Sequence, residues 1–144
     1  MSIGRYREHA YDVFFKAFIL IVKVFRDQGK ELIFSIITQK LDSSQDPYEI
    51  ESIVFASKSI LEALDKDELS LKFLRKVLAT IIANKASNEN VILAREVINF
   101  INEAAAYLQA YPEIIADVIS LLLKIIHNHE SLNNLSYKAI FELC

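Results

Sequence analysis

Helix starts recur in this chain near residues 5, 47, 89 and 132. That spacing of roughly 42 to 43 residues restricts the fold more than any other feature. The clearest start is at Asp46. Its carboxylate can accept from the first free backbone amides, Pro47 suits the first helical position, and Glu49 completes a capping box. Behind the cap, Ile50, Ile53, Val54, Ser57, Ile60, Leu61 and Leu64 recur at helical spacing, while Glu49, Ser52, Lys58 and Glu62 fall elsewhere on the wheel. One face therefore demands a partner. Asp65, with Glu68 three residues on, predicts a second cap, so that a following helix opens at once and folds back against the first. The unit is a helix hairpin, and the rest of the chain repeats it.

Composition supports the same reading. Two glycines and two prolines among 144 residues leave few turns for a sheet, so an all-helical chain is the default. A hydrophobic share of 53% beside 24% charged residues is that of a globular protein with a sizeable core. The formal net charge of -3 argues against a dedicated nucleic-acid binder, because phosphate binding needs clustered Lys and Arg. A single cysteine, Cys144, excludes an intramolecular disulfide framework and fits a reducing compartment.

The first helix is expected over about residues 5–28, apolar nearly all round through FFKAFILIVKVF, with Asp12, Lys16 and Lys23 marking a narrow wet stripe. Those lysines interrupt the roughly 18 to 20 apolar residues that a membrane span requires, so the helix reads as buried in the fold and not inserted in a bilayer. Gly29 reads as its C-terminal stop, and residues 30–41 carry Leu32, Ile33, Ile36, Ile37 and Leu41 on one face of a return helix. After the cap at Asp46 comes the helix of residues 47–64, paired with one over residues 66–84 that buries Leu69, Phe73, Leu74, Val77, Leu78, Ile81 and Ile82. Ser87 and Asn88 are candidate caps for a helix over residues 90–110, whose alanines permit close helix approach. Pro112 opens the third return helix, to residue 127, and a seventh helix runs from about residue 132 to the chain end.

The 42-residue period falls within that of HEAT-type two-helix repeats, in which each hairpin exposes an apolar face that only its neighbour covers. The expected fold is thus an all-α, HEAT-repeat-like α-solenoid segment of about seven antiparallel helices, three hairpins and one unpaired helix, with repeats near 5–41, 47–84, 89–127 and 132–144. A broadly apolar first helix and a seventh without a return partner lead to the expectation that the chain is a piece of a longer protein. In isolation the segment is expected to hide those faces by self-association or terminal fraying.

The stretches GRYREHAYDVFF, DPYEIESIVFASKSILEALD, AREVINFINEAAAYLQAYPEIIADVISLLLKII and LSYKAIFELC, in this order and spacing, resemble the middle repeats of the importin-β superfamily. The nearest group is that of transportin-SR and importin-thirteen. The resemblance is carried by Tyr6 and Arg7, by Pro47, Tyr48 and Glu49, by Glu103, Tyr107 and Pro112, and by Lys138, Ala139 and Cys144. It implies a nuclear transport receptor, present in cytoplasm and nucleus, whose stacked repeats form an arch that binds protein cargo under control of the GTPase Ran. Contacts with nucleoporins are also implied. In such an arch the second helix of each pair lines the inner surface. The exposed positions of those helices, Lys72, Arg75, Lys76, Glu113, Asp117 and Lys124, are then the candidate contact residues; otherwise they form an ordinary solvated face. No arginine-rich helix of the kind expected to grip phosphorylated Ser/Arg cargo is present. A generic HEAT scaffold without Ran dependence has the same periodicity and is the alternative.

No catalytic constellation emerges. His127 and His129 at i, i+2 do not share a helical face and lack a companion ligand set, so they read as a solvated loop with Glu130. His9 stands alone, and Cys144 has no neighbouring base. Gly4 and Gly29 lie too far apart to cradle phosphate. Neither a metal, a cofactor nor an enzyme activity is expected. Tyr107 and Tyr111 are read as packing between repeats.

Overall fold

The computed structural model describes residues 3–64, 67–109 and 111–144, and within them every side chain except those of residues 3–8, 11 and 62. Among the described residues it is all-α, with no strand. Seven helices follow in order: α1 (Ile3–Ser43), α2 (Pro47–Ser59), α3 (Glu68–Ala83), the single turn α4 (Ala86–Glu89), α5 (Val91–Leu108), α6 (Pro112–Asn128) and α7 (Asn133–Leu143). Turns of 3-10 helix at Leu61–Ala63 and Glu130–Leu132 complete the chain. The number seven is reached differently from the sequence expectation. The first two expected helices appear as one helical stretch with a reversal inside it, and residues 86–89 add a turn that the periodicity does not signal.

That reversal is at Arg26, not at Gly29. Arg26 has φ 53° and ψ -131°, a conformation that suits glycine, so the chain doubles back there between a first limb (residues 3–25) and a second limb (residues 27–43). Stacking of Phe18 on Phe34 at 6.2 Å between centroids establishes the fold-back, because sixteen residues of straight helix would separate them by roughly 24 Å. Gly29 serves a different purpose. A Cβ there would sit 3.0 Å from the Ile21 carbonyl oxygen and 3.1 Å from Phe25 Cβ, so it is the missing side chain that lets the two limbs touch.

The caps show how local chemistry sets the helix boundaries. At α2 the expected cap holds: the Asp46 carboxylate accepts from Tyr48 N at 3.1 Å, with Pro47 in the first turn. The cap of α3 is Asp67, whose carboxylate accepts from Ser70 N at 2.7 Å. The expected cap at Asp65 lies outside the described residues. At α5 the cap is Asn90, accepting from Ile92 N and Leu93 N, and not Ser87 or Asn88. Ser87 instead donates to the Ile81 carbonyl at 2.7 Å and so ties α4 to the end of α3. A three-residue register difference between Ser87 and Asn90 is invisible to composition, since both residue types cap well.

Neighbour relations run in two rows. The first limb of α1 packs on α2, α2 on α5, and α5 on α7; the second limb of α1 packs on α3, and α3 on α6. Phe14 against Phe55 joins the first limb to α2 at 6.5 Å, while Phe34 against Phe73 joins the second limb to α3 at 4.1 Å. The rows meet through α5 and α7, both of which touch α6. Helix α5 occupies the middle of the core: Leu93, Val97, Ile98, Phe100, Ile101 and Leu108 are wholly buried, and Ala94, Ala104 and Ala105 hold its neighbours close.

The first limb departs from its expected burial. Phe18 is 2% exposed, yet Val13, Phe14, Ile19, Leu20, Val24 and Phe25 remain between 42 and 63% exposed. The limb is apolar all round, but the fold covers only one side of it. From the reversal follows a test of opposite signs. Arg26→Gly should raise the urea-unfolding free energy by about 1 kcal/mol by relieving the positive φ, whereas Gly29→Leu should lower it by about 1 to 3 kcal/mol by prising the limbs apart.

Candidate partner-binding face

The second limb of α1, α3 and α6 form the row that carries the candidate residues. Lys72, Arg75 and Lys76 project from α3 because Phe73, Leu74, Val77 and Leu78 occupy its buried arc. Glu113, Asp117 and Lys124 project from α6 opposite Ile114, Val118, Leu121, Leu122 and Ile125. All six are exposed. Their mutual placement is uneven. Arg75 Nη2 lies 3.4 Å from Glu113 Oε1, and its guanidinium sits 5.4 Å from the centre of the Tyr111 ring, so this group bridges α3 to the start of α6. Lys76 Nζ reaches Asp42 Oδ2 of the second limb at 3.7 Å, where Thr80 Oγ1 also donates to Oδ1 at 3.4 Å. Asp117 and Lys124 lie farther along α6.

Exposed pairs of this kind contribute roughly 0 to 1 kcal/mol each, so a competing partner separates them at little cost. Lys72 and Lys76 also border a groove of about 200 Å³ between the second limb and α3, where Phe34, Leu69 and Phe73 form an apolar wall. A neighbouring hollow of about 410 Å³ has Asp27, Glu31, Asp67 and Glu68 around it and shares Lys72. Chemically the row presents short apolar stretches between charges of both signs.

The ionisation of Asp67 is shifted by its surroundings. Burial alone would raise its carboxyl, but the hydrogen bond from the Ser70 backbone N–H, together with the Lys30 ammonium at 3.0 Å, holds it below the ordinary carboxylate range. Lys30, 5% exposed, reaches it from the second limb, so the same carboxylate caps α3 and fastens that helix to α1.

Several ties escape a linear reading of the sequence. Lys58, expected off the buried face of α2, is mostly covered and pairs with the buried Glu96 of α5 at 2.7 Å, its ammonium also lying 4.8 Å from the Phe55 ring centre. The signal was present in α5, where Glu96 sits three residues after Leu93 and four before Phe100 and so falls inside the apolar arc. Tyr107 donates its hydroxyl to the carbonyls of Leu61 (2.9 Å) and Leu64 (3.0 Å), clamping the turn after α2, and Tyr111 meets Arg75 of α3. Both tyrosines therefore join successive hairpin units. His129 donates from Nε2 to the Asn88 carbonyl at 2.7 Å, beside Asn128, which ties the end of α6 to α4. The expected solvated loop is thus a structural contact. Among the described residues no group of three or more His, Cys, Asp or Glu is arranged to hold a metal ion. Also among them, no helix is long and apolar enough to cross a membrane.

Comparison with known proteins finds no family model, no curated relative and no solved structure that matches the chain.

The Asp67 linkage has a defined sign. A lowered folded-state value means that the folded chain resists protonation, so the contribution is complete above the unfolded carboxyl value of about 3.9 and fades as pH falls through the lower folded value. Urea midpoints measured between pH 6 and pH 2 should therefore fall less steeply below about pH 4 in Asp67→Asn than in the parent chain, with parallel behaviour between pH 5 and 6. Asparagine retains the capping geometry, which isolates the effect of the charge.

Proposed function

We propose that this chain is a HEAT-like α-solenoid segment that presents the row formed by the second limb of α1, α3 and α6 to protein partners. The observation that carries the reading is the order of neighbours. Helices one repeat apart in sequence pack side by side within each row, which supports reading the period of roughly 42 residues as a lateral stacking step. Each hairpin then contributes one helix to the core row and one to the presenting row.

The resemblance to the importin-β superfamily supplies the partner class. On that reading the segment belongs to a nuclear transport receptor moving between cytoplasm and nucleus, with cargo bound on the presenting row and its affinity governed by Ran. The mixed charge of Lys72, Arg75, Lys76, Glu113 and Asp117 fits recognition of folded or extended protein, and the net charge of -3 fits a partner other than nucleic acid. A contribution of this segment to the curvature of the arch is compatible with the same role, since the spacing between α3 and α6 sets the angle between successive hairpins.

The test is capture of proteins from a cell extract by the immobilised protein, with and without Ran held in its GTP-bound state. A captured set that changes with GTP-bound Ran, and that weakens about tenfold, near 1.4 kcal/mol, with Lys72→Glu combined with Arg75→Glu, is the expected outcome. A partner set indifferent to Ran contradicts the transport reading and leaves a Ran-independent scaffold. Capture unaffected by the double reversal contradicts the assignment of this row as the binding face.

A further inference from the structure

The groove between the second limb of α1 and α3 lies between two helices that already pack side by side, so a further helix on the far side of either one leaves it open. The two run parallel: Lys30 meets Asp67, Phe34 meets Phe73, and Asp42 meets Thr80. Each lines the groove with one face, the limb through Glu31, Phe34 and Thr38 and α3 through Leu69, Lys72 and Lys76, spaced i, i+3 and i+7 in both cases. The stacked rings of Phe34 and Phe73 form the floor, and Leu69 stands beside them. A volume of about 200 Å³ exceeds the roughly 150 Å³ of a cavity that takes a benzene-sized group, so one apolar side chain fits. A whole helix, roughly 10 to 12 Å across, does not.

Charge polarises the groove along its length. Toward the start of both helices it opens into the hollow of about 410 Å³, where Asp27, Glu31 and Glu68 are exposed and form no ion pair with a described residue. Asp67, the fourth carboxylate there, is already engaged by Lys30. About one helical turn farther on comes the apolar floor, and then Lys76 beyond Lys72 on the α3 edge. Lys72 also pairs with no described residue, and Lys76 holds Asp42 only at 3.7 Å between exposed side chains. A helical turn rises about 5.4 Å, close to the roughly 6.6 Å that two residues of extended chain advance. Alternate side chains of an extended segment therefore fall in turn on the carboxylates, the floor and the ammonium groups. Nucleic acid or an anionic lipid headgroup would instead meet three unpaired carboxylates at one end. We propose that this groove binds an extended segment of a partner protein that presents a basic, an apolar and an acidic side chain at alternate positions, the basic one toward Asp27, Glu31 and Glu68, the apolar one on Leu69 and the Phe34 and Phe73 rings, and the acidic one toward Lys72 and Lys76. The inference rests on the reading of this row as the presenting face and adds the chemistry of what is held there. The apolar contact supplies adhesion, and the opposed charges set register and partner choice.

Three blocked pentapeptides test this, carrying Lys-Leu-Glu, Glu-Leu-Glu or Lys-Ser-Glu at alternate positions with threonine between. Titrated at low salt into the isotope-labelled full chain and followed by chemical shift, the Lys-Leu-Glu peptide should bind at least about fivefold more tightly than either control, with the largest shifts at residues 31–38 and 68–76. Glu31→Lys combined with Glu68→Lys should turn the preference to the Glu-Leu-Glu peptide. The milder Glu31→Gln, which leaves the first turn of α3 untouched, should weaken binding of the Lys-Leu-Glu peptide about twofold. Both positions are exposed, so the far-UV circular dichroism of each variant should match the parent. Equal affinity for the three peptides, binding of none, or shifts centred elsewhere overturns the proposal. In that event, capture from extract that still weakens on charge reversal at Lys72 and Arg75 means that only the groove assignment has failed, and capture that does not means that the presenting-face reading has failed with it. Shifts of the same groove residues on concentrating the chain alone would assign the groove to a second copy and likewise overturn the proposal.

Discussion

Burial of α5 is the constraint on which the rest of this structure depends. The helix lies between α2 and α7 in its own row and touches α3, α4 and α6 beside it, so its surface must be apolar over a wide arc and narrow enough for neighbours to approach. Large residues at Leu93, Val97, Ile98, Phe100, Ile101 and Leu108 meet the first requirement, and Ala94, Ala104 and Ala105 the second. At roughly 1.5 to 3 kcal/mol for each large side chain removed from water, this one helix contributes a substantial part of the favourable free energy of folding. The Asn90 cap and the C-cap at Gln109 fix where it starts and stops, so that its arc faces each neighbour in register.

Polar contacts in the interior act mainly on register. The Lys58–Glu96 pair joins α2 to α5, Lys30–Asp67 joins the second limb of α1 to the cap of α3, and the Tyr107 hydroxyl holds the carbonyls of the turn after α2. An ion pair withdrawn from water is a weak source of net stability, because desolvation opposes the Coulomb attraction, but it penalises every arrangement in which the partners are mismatched. Stacked hairpins made of similar helices need such markers, since apolar faces alone tolerate sliding by a turn. At the outer helices the balance changes: the first limb leaves Val13, Leu20 and Val24 in water, and α7 leaves Tyr137 and Phe141 there.

Much of the architecture was legible in the sequence because helices announce themselves through period and caps. The Asp46 cap with Pro47 in the first turn, the stripe of α6 and the interior face of α3 appear as expected, and so does the exposure of Lys72, Arg75, Lys76, Glu113, Asp117 and Lys124; the capping box with Glu49 does not, since Asp46 accepts from Tyr48 N and not from Glu49 N. What escaped was set by tertiary contact. Gly29 marks a reversal in any local reading, yet the chain turns three residues earlier at Arg26, where packing of Phe18 on Phe34 outweighs the backbone preference of arginine. Lys58 looks solvent-facing on a wheel because the wheel cannot know that Glu96 waits across the interface. His129 looks like loop until the fold brings Asn88 to it across 41 residues of sequence. The distinction between an apolar helix that is buried and one that is merely apolar also lies beyond periodicity, as the first limb shows.

The central claim, that α5 is the post around which both rows assemble, is tested most directly by native-state hydrogen exchange resolved by residue. The account predicts that amides of α5 exchange slowest of all, only through global unfolding, while those of the first limb of α1 open at lower free energy because one side of that limb faces water. Exchange of α5 at rates equal to or faster than those of the first limb would contradict it.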